Sequence, residues 1–491
     1  MSTTTFENNV NVWGSDGSFD MKQFRCNERK SYSKDKSYTV WYKAGQINEH
    51  EFHSHLSKIK ALHGPFSNKV FWHPDFFSGY VLPGDVANKI LDIVRSFPGI
   101  HSVGRTKVYR NSVTTSLERN LAKTELPWGL DRISHKKLPL HHNYTAFYSG
   151  AGSNVFIVDT GIDTGHSQFK AGKFNRTVEN IYDGSDPGQI ALPLNIDNEG
   201  HGTHVAGTVG GNDVGVSPGA NIYGVKVLGD PDRNLLGNDI DILMGLAFVK
   251  MWYLTNDHSP SVVSMSLGRN CETLELCQDD ILVKAVEDLS KTGIVVVVAA
   301  GNDECDSCFS SPAFAQSAIT VGASSITDDA AVFSDFGKCI DVYAPGVGIK
   351  SACGRRMCGT LDQTISLNGT SMACPHVSGV MAQLLQAYPA STVSEITNKL
   401  ICDTSKMVLD IKQDRPPAIT RNLLLQVPQK APPSLKEKPD LKPVSCDLGA
   451  GCKDKCSGNG FCQEGRCLCD GLAWGSNCST VDVKEHCDLV R

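Results

Sequence analysis

Three separated motifs constrain this chain more than any other feature. The first motif, VFIVDTGID, contains Asp159. The second, GHGTHVAG, contains His201, and the third, NGTSMACPH, contains Ser371. A carboxylate can orient an imidazole, and the imidazole can then take the proton of a hydroxyl group. If the chain brings the three residues together in this order, we expect an activated serine nucleophile.

Each motif also has a local pattern that suits this chemistry. The apolar run Val155–Val158 is typical of a buried strand, and it would deliver Asp159 at its carboxyl end. Small residues follow His201, which predicts a helix packed closely against the sheet. Ser371 precedes an apolar pattern of helical spacing, so we expect it near a helix start, where Pro375 costs little and the amino end favours negative charge.

A fourth residue completes the predicted site. Asn302 follows the apolar run Ile294–Val298, and an asparagine at a strand end can donate to the oxygen of a tetrahedral intermediate, beside the backbone amide of Ser371. The string Asp159-Thr160-Gly161 also occurs in aspartic proteases, which need two such carboxylates. The sequence contains no second DTG and no DSG, which argues against that alternative.

With these motifs, the chain resembles the subtilisin superfamily, and the segment Pro127–Ile133 (PWGLDRI) resembles the start of mature enzymes of the proteinase K branch. The resemblance covers roughly 121–426. It implies an α/β fold with a doubly wound, mostly parallel sheet, and a serine endopeptidase that acts on proteins or peptides. It also implies that substrate lies between two backbone segments, one formed by Ser266, Leu267 and Gly268, and the other by Ala299 and Gly301.

The same resemblance implies a calcium ion, because the proteinase K branch holds one with a carboxylate and two carbonyls. Here these map to Asp341 and to the carbonyls of Gln316 and Ala318, and oxygen ligands suit calcium. The alternative is that Asp341 only caps a strand. Gln168 stands where bacterial subtilisins carry a calcium-binding aspartate, so that second site is expected to be absent.

A separate folded unit is predicted before the enzyme. Strand patterns at Tyr38–Tyr42, 70–72, 77–82 and 100–109 alternate with two helical patterns. The resulting βαββαβ order resembles the ferredoxin-like α+β inhibitory prodomain of subtilisins, and an accessory domain is the alternative. The predicted division of the chain is a leader (1–36), prodomain (37–110), cleavage linker (111–120), catalytic domain (121–427), Pro/Lys-rich linker (428–445) and EGF-like domain (446–487), with self-cleavage between Tyr109 and Leu121.

The last of these domains rests on closely spaced cysteines in a segment poor in aliphatic residues. The spacing resembles an EGF-like module, which implies the pairs Cys452–Cys462, Cys456–Cys467 and Cys469–Cys478. A zinc knuckle is the alternative, but the cluster contains no histidine. Such a module would bind a protein or cell-surface partner. Elsewhere we expect the pairs Cys271–Cys277, Cys305–Cys308, Cys353–Cys358 and Cys446–Cys487, and a buried free thiol at Cys374.

The cysteines and the glycosylation sequons at Asn143, Asn175 and Asn477 predict a secreted protein. Met1–Asp20 contains no apolar signal core, so we expect the start to be incomplete. Net charge of −6 without a long basic run argues against nucleic acid. The longest purely apolar run, Ile294–Ala300, has seven residues, which is too short for a transmembrane segment.

Two further expectations concern use of the site. Asp303 and Asp239 are predicted near the first and fourth substrate pockets, where they would favour basic side chains; the alternative is that they are solvated charges without effect on specificity. The alternative to an enzyme is an adhesive or scaffolding protein whose inert fold presents the EGF-like module.

Overall fold

The structure is a computed structural model. It describes residues 37–43, 45–64, 70–72, 76–111, 114–118, 126–172, 174–184, 197–229, 237–411 and 420–428, together with the short strands 460–463, 466–469, 473–474 and 480–481.

The first elements form a small antiparallel sheet covered by two helices. They are β1 (Tyr38–Tyr42), α1 (Glu49–His63), β2 (Val70–Phe71), β3 (Ser78–Leu82), α2 (Gly84–Arg95) and β4 (Ile100–Arg105). The sheet order is β2-β3-β1-β4, and β1 pairs antiparallel with both β3 and β4. The predicted βαββαβ order is therefore confirmed. We call this part the N-terminal unit.

Side chains from both helices and the sheet build the core of the N-terminal unit. Val40, Phe52, Ile59, Tyr80 and Ile90 are buried in one cluster. Helix α1 begins at a capping box, in which Asn48 accepts from the Glu51 amide and Glu51 accepts from the Asn48 amide. The capping box and the buried apolar face of α1 therefore favour the same helix at the same position.

The predicted last strand of this unit is wrong in its extent. The pattern from Ile100 to Tyr109 is divided into β4 and a separate strand β5 (Val108–Asn111), which leaves the sheet of the N-terminal unit. A further strand, β6 (Thr114–Glu118), follows. Strand periodicity cannot show that a chain changes partner between one sheet and another.

The remaining elements up to residue 424 are, in chain order, α3 (Trp128–Ser134), β7 (Asn154–Asp159), β8 (Val178–Asp183), α4 (His201–Gly210), β9 (Asn221–Lys226), β10 (Gly237–Asn238), α5 (Asp239–Thr255), β11 (Ser261–Met265), β12 (Leu267–Asn270), α6 (Leu274–Gln278), α7 (Ile281–Lys291), β13 (Val295–Ala299), β14 (Ser310–Ser311), β15 (Ile319–Ser324), β16 (Val342–Pro345), β17 (Ile349–Ala352), α8 (Arg355–Cys358), β18 (Thr364–Asn368), α9 (Thr370–Ala387), α10 (Val393–Asp403), β19 (Ser405–Lys406) and β20 (Leu423–Leu424).

A nine-stranded sheet organises these elements in the order β19-β20-β16-β15-β13-β11-β7-β9-β8. All neighbours are parallel except β19 and β20. Alternate residues of β7 enter different cores, because Val155 and Ile157 pack with α4 and α9, whereas Phe156 and Val158 pack with α5 and α7. The predicted doubly wound, mostly parallel sheet is thus confirmed.

Two smaller sheets join the segment after the N-terminal unit to this body. Strand β5 lies between β10 and β12 in the order β10-β5-β12-β14, and β6 is the edge strand of the order β17-β18-β6. The described part of the chain after residue 428 forms two hairpins, β21 (Gly460–Gln463) with β22 (Arg466–Cys469) and β23 (Ala473–Trp474) with β24 (Thr480–Val481). The predicted linker and the predicted EGF-like pairings lie outside the residues or side chains that the structure describes.

Disulfides in the described chain agree in part with the sequence analysis. The bonds Cys271–Cys277 and Cys353–Cys358 are confirmed. The pair Cys305–Cys308 is wrong, because Cys308 bonds to Cys339 across 31 residues and Cys305 is disulfide-bonded elsewhere. Short spacing does not reveal a partner that the fold brings from a distant loop. Cys374 is a buried free thiol, as expected.

Two of the three predicted sequons can be examined. Asn143 and Asn175 are exposed, which an acceptor asparagine requires, and Asn477 lies outside the described residues. Within the described chain, no helix combines the length and the apolar character needed to cross a membrane.

Candidate active site

Asp159 is the last residue of the fully buried strand β7. Its Oδ1 accepts a hydrogen bond from the Thr160 amide at 2.7 Å. The same oxygen lies 2.7 Å from Nδ1 of His201, and neither side chain is exposed to solvent. A buried carboxylate therefore fixes one nitrogen of the imidazole, as the sequence predicted.

His201 is the first residue of helix α4, which lies directly against the sheet. A Cβ atom on Gly202 would stand 2.2 Å from the carbonyl oxygen of Gly161, so only glycine permits this approach. Burial lowers the pKa of His201, but Asp159 and then Glu199 outweigh burial and leave the pKa raised. Nε2 of His201 is buried without a hydrogen-bond partner among the described residues, so it is available to accept a proton.

Ser371 is the second residue of helix α9. Its Oγ donates to the carbonyl of Ser266 at 3.0 Å, while Oγ of Ser266 donates to the carbonyl of Ser371 at 2.9 Å. Pro375 lies inside the helix and has no amide for the Ser371 carbonyl to accept from. The prediction that Pro375 sits at the helix start is wrong, and Ser266 provides the hydrogen bond that the proline removes.

Asn302 follows β13, and hydrogen bonds fix only the oxygen of its side-chain amide. Its Oδ1 accepts from the amide and the hydroxyl of Thr370, at 2.9 and 3.0 Å. Because the oxygen is fixed by these two donors, Nδ2 points the other way, and it is buried without a partner in the described chain. A buried amide without a partner, beside the start of α9, can donate to an oxyanion.

A strand of this same chain pairs with Leu267 and Gly268, one of the two segments predicted to bind substrate. Leu267 and Gly268 pair antiparallel with Asn111 and Arg110 of β5. On its other side β5 pairs with β10, where Gly237 lies opposite Tyr109. Strand β5 therefore lies where an extended peptide would add to the sheet.

Ala299 ends β13, and the amide of Gly301 donates to Oγ1 of Thr370, the residue before Ser371, at 3.3 Å. Buried Asp335 holds the loop that contains Gly301. A Cβ on Gly301 would meet Oδ2 of Asp335 at 2.1 Å, and Oδ1 accepts from the amides of Asp303 and Cys305 at 2.9 and 3.2 Å. Burial raises the pKa of Asp335 to about 8, although these amides oppose it. No sequence motif connects Asp335 with a loop more than 30 residues earlier, so its role was not predicted.

A second carboxylate missed from the sequence supports the base. Asp197 accepts from the Gly200 amide at 2.8 Å and from the Thr203 amide and hydroxyl at 2.9 and 2.7 Å. It therefore caps α4 from outside the helix and fixes the turn that carries His201. Glu199 accepts from the His201 amide at 2.8 Å and from Nδ2 of Asn111 at 3.1 Å.

Neither acidic residue predicted near the substrate pockets stands as an isolated charge. Asp303 accepts from Nδ2 of Asn270 at 2.9 Å. Asp239 adjoins the strand β10 that pairs with Tyr109, but it is 2% exposed and accepts from Thr39 Oγ1 of the N-terminal unit at 3.2 Å. Selection for basic side chains stays a prediction.

Asp341, the carboxylate predicted to bind calcium, is paired with protein groups, and calcium binding stays a prediction. Oδ1 of Asp341 lies 3.0 Å from Nη1 of Arg421, and Oδ2 accepts from the Thr320 amide at 3.0 Å. Both carboxylate oxygens are therefore engaged by protein groups, one of them by a guanidinium.

Comparison with known proteins gives a consistent result. The Subtilase family matches residues 150–424. The "Extracellular serine proteinase" of Thermus sp. (strain Rt41A) is 43% identical over 274 residues, which are 56% of this chain and 60% of that protein. The match thus spans less than two thirds of that relative.

Two other matches cover a larger share both of this chain and of the matched protein. "Subtilisin-like protease 2" of Pseudogymnoascus destructans is 34% identical over 372 residues, which are 74% of this chain and 83% of the relative. A solved structure, of a cold adapted subtilisin-like serine proteinase, covers 62% of this chain and all of its own, with 34% identity and a TM-score of 0.53.

Proposed function

This chain belongs to the Subtilase family, and we propose that it is a secreted serine endopeptidase, made as a zymogen, in which Asp159, His201 and Ser371 hydrolyse peptide bonds. The observation that carries this proposal is the 2.7 Å contact between buried Asp159 and His201, with Nε2 of His201 unpartnered.

The reaction follows from these positions. Nε2 of His201 takes the Ser371 hydroxyl proton as Oγ, released from the Ser266 carbonyl, attacks the substrate carbonyl. Asp159 holds Nδ1 and stabilises the imidazolium that forms. Nδ2 of Asn302 and the backbone amide of Ser371 stabilise the oxyanion. His201 then gives its proton to the leaving amine, and water repeats the sequence on the acyl-enzyme.

Contacts of the N-terminal unit support its proposed role as an inhibitor. Trp41 and Phe76 share a buried cluster with Ile240 of α5, and Thr39 bonds to Asp239. Strand β5 occupies the substrate strands, and β6 pairs with β18, which ends two residues before Thr370. Since β5 and β6 flank the catalytic serine, we infer that the chain cuts itself between Asn111 and Thr114.

Secretion is supported by disulfides of the catalytic body, because such bonds persist in oxidising compartments. The Thermus relative is itself named an extracellular enzyme.

Mass spectrometry of wild type and Ser371→Ala, each incubated with a serine-directed phosphonate, tests the proposal. Wild type should lose the N-terminal unit and carry the inhibitor on Ser371, whereas Ser371→Ala should stay intact and unlabelled. An unprocessed, unlabelled wild-type chain would favour the inert scaffold, and spontaneous processing of Ser371→Ala would refute self-cleavage.

A further inference from the structure

Strand β5 shows how an extended peptide is held before the point of cleavage. Its backbone pairs with Gly237 and Asn238 on one side and with Leu267 and Gly268 on the other. Backbone pairing of this kind accepts many sequences. Selection must then come from the pockets that the side chains enter.

Tyr109 enters such a pocket and is fully buried in it. The guanidinium of Arg269 lies 5.6 Å from the centre of the tyrosine ring. Nε of Arg269 donates to the tyrosine oxygen at 3.3 Å, and the tyrosine hydroxyl donates to Oδ1 of Asp280 at 3.3 Å. The pocket therefore contacts both the ring and the hydroxyl group.

Asp280 is the centre of the polar end of this pocket. From the catalytic body it accepts hydrogen bonds from Arg269, from Ser311 Oγ at 2.9 Å and from the Leu282 amide at 3.0 Å. The other donors come from the bound segment and are the Tyr109 hydroxyl and Nζ of Lys107, the latter at 2.7 Å. Residues two apart on a strand share a face, so Lys107 and Tyr109 reach the same carboxylate.

The charge state of this centre is well defined. Burial raises the pKa of Asp280, but Arg269 and Lys107 outweigh burial and hold the pKa well below its usual range. The carboxylate is therefore an anion when the segment is bound. A ligand without the hydroxyl would leave buried polar atoms of the pair with fewer partners.

We propose that Arg269 and Asp280 form a hydroxyl-reading subsite, which selects peptide substrates with tyrosine rather than phenylalanine at the position of Tyr109 and with lysine two residues earlier. The substrate class is thus Lys-x-Tyr peptides cut a few residues after the tyrosine. This inference rests on the proposed function, because it assumes that β5 marks the path of substrates.

Hydrolysis of quenched fluorogenic peptides tests the selection. The reference peptide has the sequence of residues 105–116, and the processed enzyme is the catalyst. Tyr109→Phe in the peptide should lower kcat/KM by about tenfold, as expected for a lost buried hydrogen bond, and Lys107→Ala severalfold. Arg110→Lys is the matched control, because Arg110 is exposed, and it should change kcat/KM little.

The enzyme variant Asp280→Asn assigns the effect to the proposed centre. Asparagine can still cap helix α7, so the fold should persist. The ratio of kcat/KM for the tyrosine and phenylalanine peptides should approach one in this variant. Equal values for the two peptides with wild-type enzyme would overturn the subsite.

A readout without catalysis separates this inference from the proposed function. In the intact Ser371→Ala chain, Tyr109→Phe should increase hydrogen exchange of the β5 amides, and Arg110→Lys should not. Unchanged exchange would refute the subsite, even in an active protease. Increased exchange in the Tyr109→Phe variant of Ser371→Ala, together with a wild-type chain that hydrolyses no peptide, would keep the subsite and refute the peptidase.

Discussion

Asn302 is the residue whose removal should separate chemistry from binding. Asn302→Ala deletes the unpartnered Nδ2 donor, and loss of one oxyanion donor typically lowers kcat by about 10²–10³. Because the donor acts on the transition state, KM should change little. Steady-state kinetics on one peptide measure both constants. A large rise in KM with unchanged kcat would contradict this role.

His201 should set the acid limit of activity. Its pKa is raised, because Asp159 outweighs the effect of burial, and only neutral imidazole can take the serine proton. Activity is therefore present above the pKa of His201 and lost as the pH falls through it. The acid limb of the kcat/KM profile should give an apparent pKa above the ordinary histidine value. Asp159→Asn should move this limb to lower pH as well as reduce the rate, and an unmoved limb would contradict the assignment.

Single residues also show what sequence could and could not predict. Asp159, His201 and Asn302 stand in local motifs whose chemistry is recognisable. The expected contact of Asp159 with His201 is present, and the catalytic roles stay predictions. Asp197 and Asp335 were missed, because their roles depend on amides brought to them by the fold. The pair Cys305–Cys308 failed for the same reason, since Cys339 reaches Cys308 through a distant loop.

Helix α9 depends on a hydrogen bond from outside the helix. Ser266→Ala leaves the Ser371 carbonyl without the donor that replaces the missing amide of Pro375, which should cost about 1–3 kcal/mol. Adding Pro375→Ala restores an intrahelical donor, so the double variant should lose less stability than the single changes predict by addition. Thermal unfolding of phosphonate-inhibited proteins measures this. Simple additivity would show that the Ser266 bond does not compensate for the proline.

The turn before β16 provides a test of the calcium prediction. Calcium at Asp341 predicts a lower melting temperature after chelation, whereas the Asp341–Arg421 pair predicts no change. We expect no change in wild type, measured by calorimetry with and without EDTA. A chelation-dependent fall in the melting temperature would favour the metal over the ion pair.

Elements with strong local patterns were predicted well. The buried apolar run of β7 and the helical spacing of α9 gave both position and type. Strand β5 was merged with β4, because periodicity does not record which sheet a strand joins. That exchange of partners is what brings Tyr109 and Asn111 between β10 and β12.

The complete chain should hold its N-terminal unit in a pH-dependent way. Burial raises the pKa of Asp239 to about 6, although Lys107 opposes this, and its contact with Thr39 lies at the interface. An aspartate that is exposed after release has a pKa near 3.9. The docked state therefore binds the proton more tightly, so this contribution to docking is present at low pH and lost as the pH rises through about 6.

His101 contributes with the opposite sign. Burial lowers its pKa, with Lys284 and Lys43 acting in the same direction. Because Lys284 belongs to α7 of the catalytic body, docking brings this cation to the exposed His101 and favours the neutral imidazole. The contribution of His101 to docking therefore strengthens as the pH rises. Variants at the two positions separate these effects. Asp239→Asn removes the contribution that favours docking at low pH, and His101→Gln removes the one that favours docking at high pH.

The rate at which the cleaved N-terminal unit leaves the processed enzyme measures the sum of the two contributions. Recovery of peptidase activity reports this rate. In His101→Gln, release should be faster at pH 7 than at pH 5, by about tenfold for a docked pKa of about 6 and a free pKa near 3.9. Asp239→Asn in that background should flatten the profile. A pH dependence that persists without both groups would show that release is controlled elsewhere in the interface.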